Sequence, residues 1–381
     1  MRCWVARCVG ARVACAISVA LLAAATVANA APSFEFIYET TDYPGGLSAD
    51  GSKAIVDTSS IGGPMVVWHR DGSPDQPITG LPGYQFTLGT AISGDGAVVV
   101  GKSHGFGQTA RAFRWTPAGG AVALIDPVDP TAATEALATN ANGSVVVGLV
   151  QGAFDGLQHF HATRWTPAGG MQRLNGYQAY DTSLAGGVSS DGSVIVGTVQ
   201  MYQPGVSISQ AFRWTEAGGF QLLPDAPFRT WGYGLSGDGL TIVGSGEFGS
   251  GDSAFRWTQA DGFTQFTHTI PYFQIQGAMA TSADGSVIIG QGQSPRGYEA
   301  WIWDEAHGVR LLTDLASEMG FDLGGQYLES ASAISADGTV IVGRSYGPLG
   351  GIGYMVVVPE PTAGALLLVV TASGVGMRRR R

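Results

Sequence analysis

An aspartate stands ahead of a turn glycine at Asp50, Asp95, Asp191, Asp238, Asp284 and Asp337, and these are the most regularly placed carboxylates in the chain. One carboxylate per turn is too few for calcium, which takes about 6–8 oxygen ligands. The aspartate of an Asp-Gly turn ordinarily accepts hydrogen bonds from its own backbone, and that role is expected here. Arg114, Arg164, Arg213 and Arg256 precede tryptophans in strands such as Ala-Phe-Arg-Trp-Thr, an arrangement that suits stacking and local pairing. His159 and His161 flank Phe160, so on a strand both imidazoles share one face. That is the spacing of a metal pair, but no third ligand stands nearby, and exposed loop histidines are the simpler expectation. The chain has no Gly-x-Ser-x-Gly, His-Glu-x-x-His or phosphate loop. No catalytic residue, metal or cofactor is assigned, and a non-enzymatic protein is expected.

The elements that position these residues repeat. The segments SADGSKAIVD, SGDGAVVVGK, TNANGSVVVG, SSDGSVIVGT, SGDGLTIVGS, SADGSVIIGQ and SADGTVIVGR place turn glycines at Gly51, Gly96, Gly143, Gly192, Gly239, Gly285 and Gly338. Their spacings are 45, 47, 49, 47, 46 and 53 residues. Trp68, Trp115, Trp165, Trp214, Trp257 and Trp303 follow the turn glycines by 17 to 22 residues, and a Gly-Gly or similar turn and a short apolar run come next. Asp-Gly and Gly-Gly between β-branched or aromatic runs are hairpin signals. Each unit therefore reads as four short antiparallel strands, the pattern of a propeller blade. A β-solenoid is the rival architecture, but its repeats are usually shorter and carry fewer turns.

Small residues dominate the first strand of each unit, as in Thr90-Ala91-Ile92-Ser93 and Ala185-Gly186-Gly187-Val188, which fits the crowded axis of a ring. The seventh unit stops at Gly353–Val357 without its last strand, while Phe34–Tyr38 is an orphan strand before the first unit. Joining the two gives an all-β, seven-bladed β-propeller of four-stranded blades, with the N-terminal strand closing the last blade and no half-blade edge exposed. The 58 glycines and 13% charged residues fit a turn-dense all-β chain, with one short helix expected within Glu305–Met319.

Both ends read as addresses. Residues 1–30 carry Arg2, Arg7 and Arg12, an apolar run and the small-residue site Ala28, Asn29, Ala30, which is the pattern of a cleaved secretory signal. Cys3, Cys8 and Cys15 all fall inside it, so the remaining chain has no thiol. Residues 31–358 form the repeat domain and 359–381 the tail: Pro359, Glu360, Pro361, an apolar stretch over Thr362–Met377, then Arg378, Arg379, Arg380 and Arg381. The stretch is short for a membrane span, and the arginines would hold that end cytoplasmic. Setting aside the signal and tail arginines leaves 13 basic against 30 acidic residues, near −17. Nucleic acid is a poor partner for such a chain.

The tail resembles the PEP-CTERM sorting signal of Gram-negative envelope proteins, because motif, apolar segment and basic cluster occur in order at the extreme end. The resemblance implies processing by an exosortase-type sorting machinery, transient anchoring in the membrane, and a destination at the cell surface or in the extracellular matrix, often alongside exopolysaccharide. The repeats over 46–345 resemble the HAF family of extracellular repeats through Asp-Gly-Ser-Val-Ile-Val-Gly and Ala-Phe-Arg-Trp-Thr. They depart from it at Asn142, Val67 and Ile302. That family supplies no enzymatic activity to carry over. Three classes stay open: a binding or structural module of the surface or matrix, a glycan-active hydrolase or lyase with its site at the channel mouth, and an anchored factor that binds another envelope protein. Recognition is expected on the rim that carries the second-to-third loops, drawn as Gly101–Thr109, Val150–His161, Gln200–Gln210, Gly246–Ser253, Gln291–Gly297 and Arg344–Ile352.

Overall fold

The computed structural model describes residues 31–37, 45–58, 64–154, 157–176, 181–203, 206–226, 229–249 and 251–359. Strand β1 (Ser33–Ile37) opens the chain, and blade 1 follows as β2 (Gly46–Leu47), β3 (Lys53–Val56), β4 (Val66–His69) and β5 (Gln76–Pro77). Blade 2 is β6 (Phe86–Ile92), β7 (Val99–Gly105), β8 (Gln108–Thr116) and β9 (Gly120–Leu124). Blade 3 is β10 (Thr134–Thr139), β11 (Val146–Phe154), β12 (Leu157–Thr166) and β13 (Gly170–Arg173). Blade 4 comprises β14 (Thr182–Val188), β15 (Val194–Gln203), β16 (Val206–Thr215) and β17 (Gly219–Leu222). Blade 5 comprises β18 (Thr230–Leu235), β19 (Thr241–Phe248), β20 (Gly251–Thr258) and β21 (Gly262–Gln265). Blade 6 holds β22 (Gln274–Thr281), β23 (Val287–Ser294), β24 (Gly297–Asp304) and β25 (Gly308–Leu311). A seven-residue helix, α1 (Leu312–Glu318), leads to blade 7, which is β26 (Tyr327–Ile334), β27 (Val340–Tyr346) and β28 (Ile352–Val357).

Every sheet is a four-stranded antiparallel meander, and the seventh has the order β1-β28-β27-β26. The orphan N-terminal strand thus closes the last blade, with Ser33 opposite Val357 and Ile37 opposite Gly353. First strands of neighbouring blades touch all the way round, from β2 to β6 and onward to β26, which returns to β2. The molecule is a seven-bladed propeller with first strands innermost. The helix expected within Glu305–Met319 is confined to α1, because Gly308–Leu311 completes blade 6 as a strand.

The repeat motif is explained position by position. In Ser-x-Asp-Gly the serine hydroxyl donates to the aspartate, as Ser189 does to Asp191 at 2.6 Å, and accepts from the backbone N–H five residues on, Val194, at 3.0 Å. The same aspartate accepts from the Ser193 N–H at 2.9 Å. The turn glycine has positive φ, and at Gly192 an added Cβ would lie 2.5 Å from the Val145 side chain of the previous blade. The x carbonyls join the blades, accepting from the x or Asp N–H of a neighbouring turn: Ala49 N–H donates to Gly94, Asp95 to Ala141, Ala141 to Ser190, Ser190 to Gly237, Asp238 to Ala283, Ala283 to Ala336, and Ala336 back to Ala49, at 2.7–3.4 Å. These seven backbone bonds form a closed ring about the axis.

The glycine that ends Val-Ile-Val-Gly answers to a bulge. Inner strands shift register against the second strand, as between Ala185 and Gly187. The bulge drives a carbonyl inward, so a Cβ at Gly101, Gly148, Gly197, Gly244 or Gly343 would sit about 2 Å from an inner-strand oxygen. The aromatic of Ala-Phe-Arg-Trp lies opposite that glycine, Phe212 on Gly197 and Phe255 on Gly244. These aromatics and the flanking Val and Ile residues fill separate apolar layers between successive blades.

Candidate functional site

Antiparallel meanders divide the molecule into two rims. First-to-second and third-to-fourth turns lie on one, the turn rim; second-to-third hairpin tips and blade-to-blade connections lie on the other, the loop rim. The turn rim is where the repeated aspartates sit, each occupied as a turn acceptor in the pattern of Ser48, Asp50 and Ser52. Asn142 does the same work in blade 3, where its Oδ1 accepts from the Ser144 N–H at 3.1 Å. Arg114 Nε donates to the Gly143 carbonyl at 2.9 Å and its guanidinium lies over Trp165. Arg164 faces Glu216 at 3.6 Å. A cleft of about 430 Å³ between blades 3 and 4 is lined by Arg164, Arg213, Trp214, Asp191 and Glu216, so this rim has charged grooves between its turns.

The loop rim differs from the sequence expectation in one respect. Most of the stretches drawn as loops are strand: β11 and β12 run on to Phe154 and Leu157, β15 and β16 to Gln203 and Val206, and 101–109, 246–253 and 291–297 are likewise strand up to the hairpin tip. Glycines such as Gly152 read as loop residues, yet Gly152 is a ladder position opposite His159. His159 and His161 are therefore strand residues and buried, each 6% exposed, rather than exposed loop histidines. They lie on the side of β12 that faces blade 2, with Arg173 on β13 and Asp126 on the connection from blade 2. Arg173 donates to Asp126 at 2.7 Å. Burial, then the Arg173 charge and His159, push the His161 imidazole down to about 4, against an opposing pull from Asp126. His161 is thus a neutral group within an interblade joint. Among the described residues no cluster of three or more metal-ligating side chains exists.

Four glutamates on this half of the molecule are paired with cations. Lys102 holds Glu135 at 2.9 Å, Arg296 holds Glu299 at 2.7 Å, Arg344 holds Glu329 at 3.0 Å and Arg229 holds Glu247 at 3.2 Å. A glycoside hydrolase uses two carboxyls about 5–9.5 Å apart, one as acid and the other as nucleophile or base, free to face substrate. Each of these four carboxyls instead faces a cation of the protein. Burial, then the charge of Glu329, raises the Tyr327 phenol above its ordinary range, so this hydroxyl stays protonated and able to donate.

Exposed aromatics gather on the same rim. Phe86 begins an inner strand and packs against His104 and, edge-on, against Phe106 at a hairpin tip, with ring centroids 5.3 and 5.6 Å away. Phe106 is 84% exposed. Tyr272 lies on a connection, while Tyr298 and Tyr346 stand at the tips of blades 6 and 7, all exposed. Tyr346 meets Tyr327 edge-on and carries the Arg344 guanidinium above its ring. Leu240 is an exposed large apolar side chain of the turn rim. Phe106, His104, His159, His161 and Tyr346 fall within the variable stretches of the sequence; Phe86, Tyr272 and Tyr298 do not. Their signal is positional, since each sits within two residues of a strand end that the repeat register locates.

Of the sorting residues, Pro359 is exposed beyond β28. Glu360, Pro361, Arg378, Arg379, Arg380 and Arg381, and the signal residues Ala28, Asn29 and Ala30, lie outside the described residues. No helix among the described residues is long and apolar enough to cross a membrane. The expected span over Thr362–Met377 lies outside them as well.

No family model matches the chain, and no curated protein does. Solved structures do. The β-propeller domain of the Trilobed protease from Pyrococcus furiosus is 9% identical with a TM-score of 0.55, over 85% of this chain and 96% of that one. Puromycin hydrolase is 15% identical with a TM-score of 0.51, over 81% of this chain; the match spans 50% of puromycin hydrolase. TolB from Acinetobacter baumannii is 14% identical with a TM-score of 0.43, over 70% of this chain and 64% of that one. The Pyrococcus domain is described as having an open velcro topology; here β1 closes the ring on β28. At these identities the likeness is one of fold, and the fold is a β-propeller.

Proposed function

We propose that the chain is a non-catalytic binding module of the cell surface or extracellular matrix, exported by its N-terminal signal and delivered by an exosortase-type system acting on the tail. Its loop rim is the recognition face, and a polysaccharide is the ligand class that fits. The observation that carries this reading is the gathering of Phe86, Phe106, Tyr272, Tyr298 and Tyr346 on one rim, where Glu135, Glu299 and Glu329 are already held by cations. Aromatic faces stack on the apolar faces of sugar rings, and spreading them over several blades of a rigid ring suits a repeating chain. The paired glutamates hold the rim in shape.

The test is a polysaccharide panel presented to residues 31–358, with product analysis of every bound sample. A binder is expected whose affinity falls at least about tenfold in Phe106→Ala and in Tyr298→Ala, with unchanged melting. New reducing ends or unsaturated products would instead establish the hydrolase or lyase reading. Binding unaffected by either substitution would remove the loop rim from the proposal.

A further inference from the structure

We propose that the turn rim is the face held against the membrane while the tail is in place, so that the loop rim points outward. The inference rests on reading Thr362–Met377 as the membrane-inserting part of a sorting tail. Its geometry comes from the last blade. Val357, the final residue of β28, pairs with Val340 on one side and with Ser33 on the other. Val340 directly follows the Asp337-Gly338 turn, and the Val358 N–H donates to Thr339 within that turn at 2.8 Å. The chain therefore leaves the ring beside an Asp-Gly turn. Ser33 begins β1 at the same place, three residues after Ala30, so the signal segment departs from the same rim.

The tether is short. Only Pro359, Glu360 and Pro361 separate Val358 from Thr362, and that length of chain spans at most about 14 Å even fully extended. A propeller fixed at Val358 by β-pairing on both sides cannot turn its far face to the bilayer on such a tether. The turn rim carries the six turn aspartates and so gains nothing from anionic head groups. Its approach is imposed by the tether alone, and residues 31–358 without the tail should not bind anionic vesicles. The exposed aromatics of the loop rim would then face the surrounding matrix, where a polysaccharide would be met.

Removal of residues 1–30 takes away every cysteine, so single-cysteine labelling of 31–381 is clean. Bimane is attached at Ala97→Cys or Leu240→Cys, both exposed in Asp-Gly turns of different blades, or at Phe106→Cys on the opposite rim. Each protein is reconstituted in vesicles of phosphatidylethanolamine and phosphatidylglycerol containing a brominated lipid. Quenching severalfold stronger at Ala97→Cys and Leu240→Cys than at Phe106→Cys is expected, and a long Gly-Ser spacer after Val358 should abolish the difference while leaving flotation intact. Equal or stronger quenching at Phe106→Cys in protein that floats with the vesicles would overturn the orientation and leave the tail reading standing. Failure to float would overturn the tail reading, and the orientation with it.

Discussion

At the scale of single residues, the repeated aspartates are turn acceptors, and one blade already contains their substitution. Asn142 fills the Asp position and keeps the same bond to the backbone two residues on. Asp284→Asn should therefore be nearly neutral, whereas Asp284→Ala, which frees the Ser282 hydroxyl and the Ser286 N–H, should cost about 1 kcal/mol in denaturant unfolding. His161 supplies the clearest pH dependence. An unfolded histidine titrates near 6.5, but the buried imidazole, pressed by Arg173 and His159 and only partly relieved by Asp126, titrates at about 4. As pH falls the unfolded chain takes up the proton first. This contribution to stability is therefore full above about 6.5, is lost as pH falls to about 4, and levels off below. Unfolding midpoints from pH 7 to 4 should show that slope, and His161→Gln should flatten it.

Among elements, the hairpin of second and third strands is the unit that sets the packing. Its motif glycine lies beneath a bulged carbonyl and beside an aromatic: at Gly197 a Cβ would stand 2.0 Å from the Leu184 oxygen and 2.9 Å from the Phe212 ring. Gly197→Ala should cost on the order of 3 kcal/mol by forcing strand or ring to move. Gly186, on the inner strand of the same blade, has ordinary φ and no neighbour nearer than 3.5 Å, so Gly186→Ala should change stability by no more than about 0.5 kcal/mol. Thermal melts of the two variants separate a close approach from mere glycine content. The motif and the hairpin were legible in sequence; the hairpin's length was not. Glycine at positions such as Gly152 carries no side-chain alternation, so a ladder residue and a loop residue look alike until the partner strand is known.

For the whole molecule, closure joins residues more than 300 apart in sequence, so the last blade can form only after the entire domain is available. β1 covers an otherwise open edge of β28, with Ile37 buried and Phe34 stacked near Tyr354. Removing residues 33–37 should lower the melting temperature by roughly 10 °C or more and expose an unpaired edge, visible as concentration-dependent association in sedimentation. A melt unchanged by the deletion, with the protein still monomeric, would show that the ring is held without this strand.

The sequence by itself determined the number of blades, the identity of the strand that closes them and the turn-acceptor role of the Asp-Gly carboxylates. Each follows from short-range chemistry copied along the chain: a serine, an aspartate and a glycine within four residues specify their own turn wherever they recur, and counting turns counts blades. Only the tertiary structure decided that His159 and His161 are buried in an interblade joint. The same holds for the pairing of Glu135 by Lys102, the meeting of Tyr327 with Tyr346, and the gathering of aromatics from separate blades on one rim. Those relations depend on which face of a hairpin meets which neighbour, and on strand ends brought together from different repeats. The closed ring of blades sets both, and no local pattern of residues encodes either.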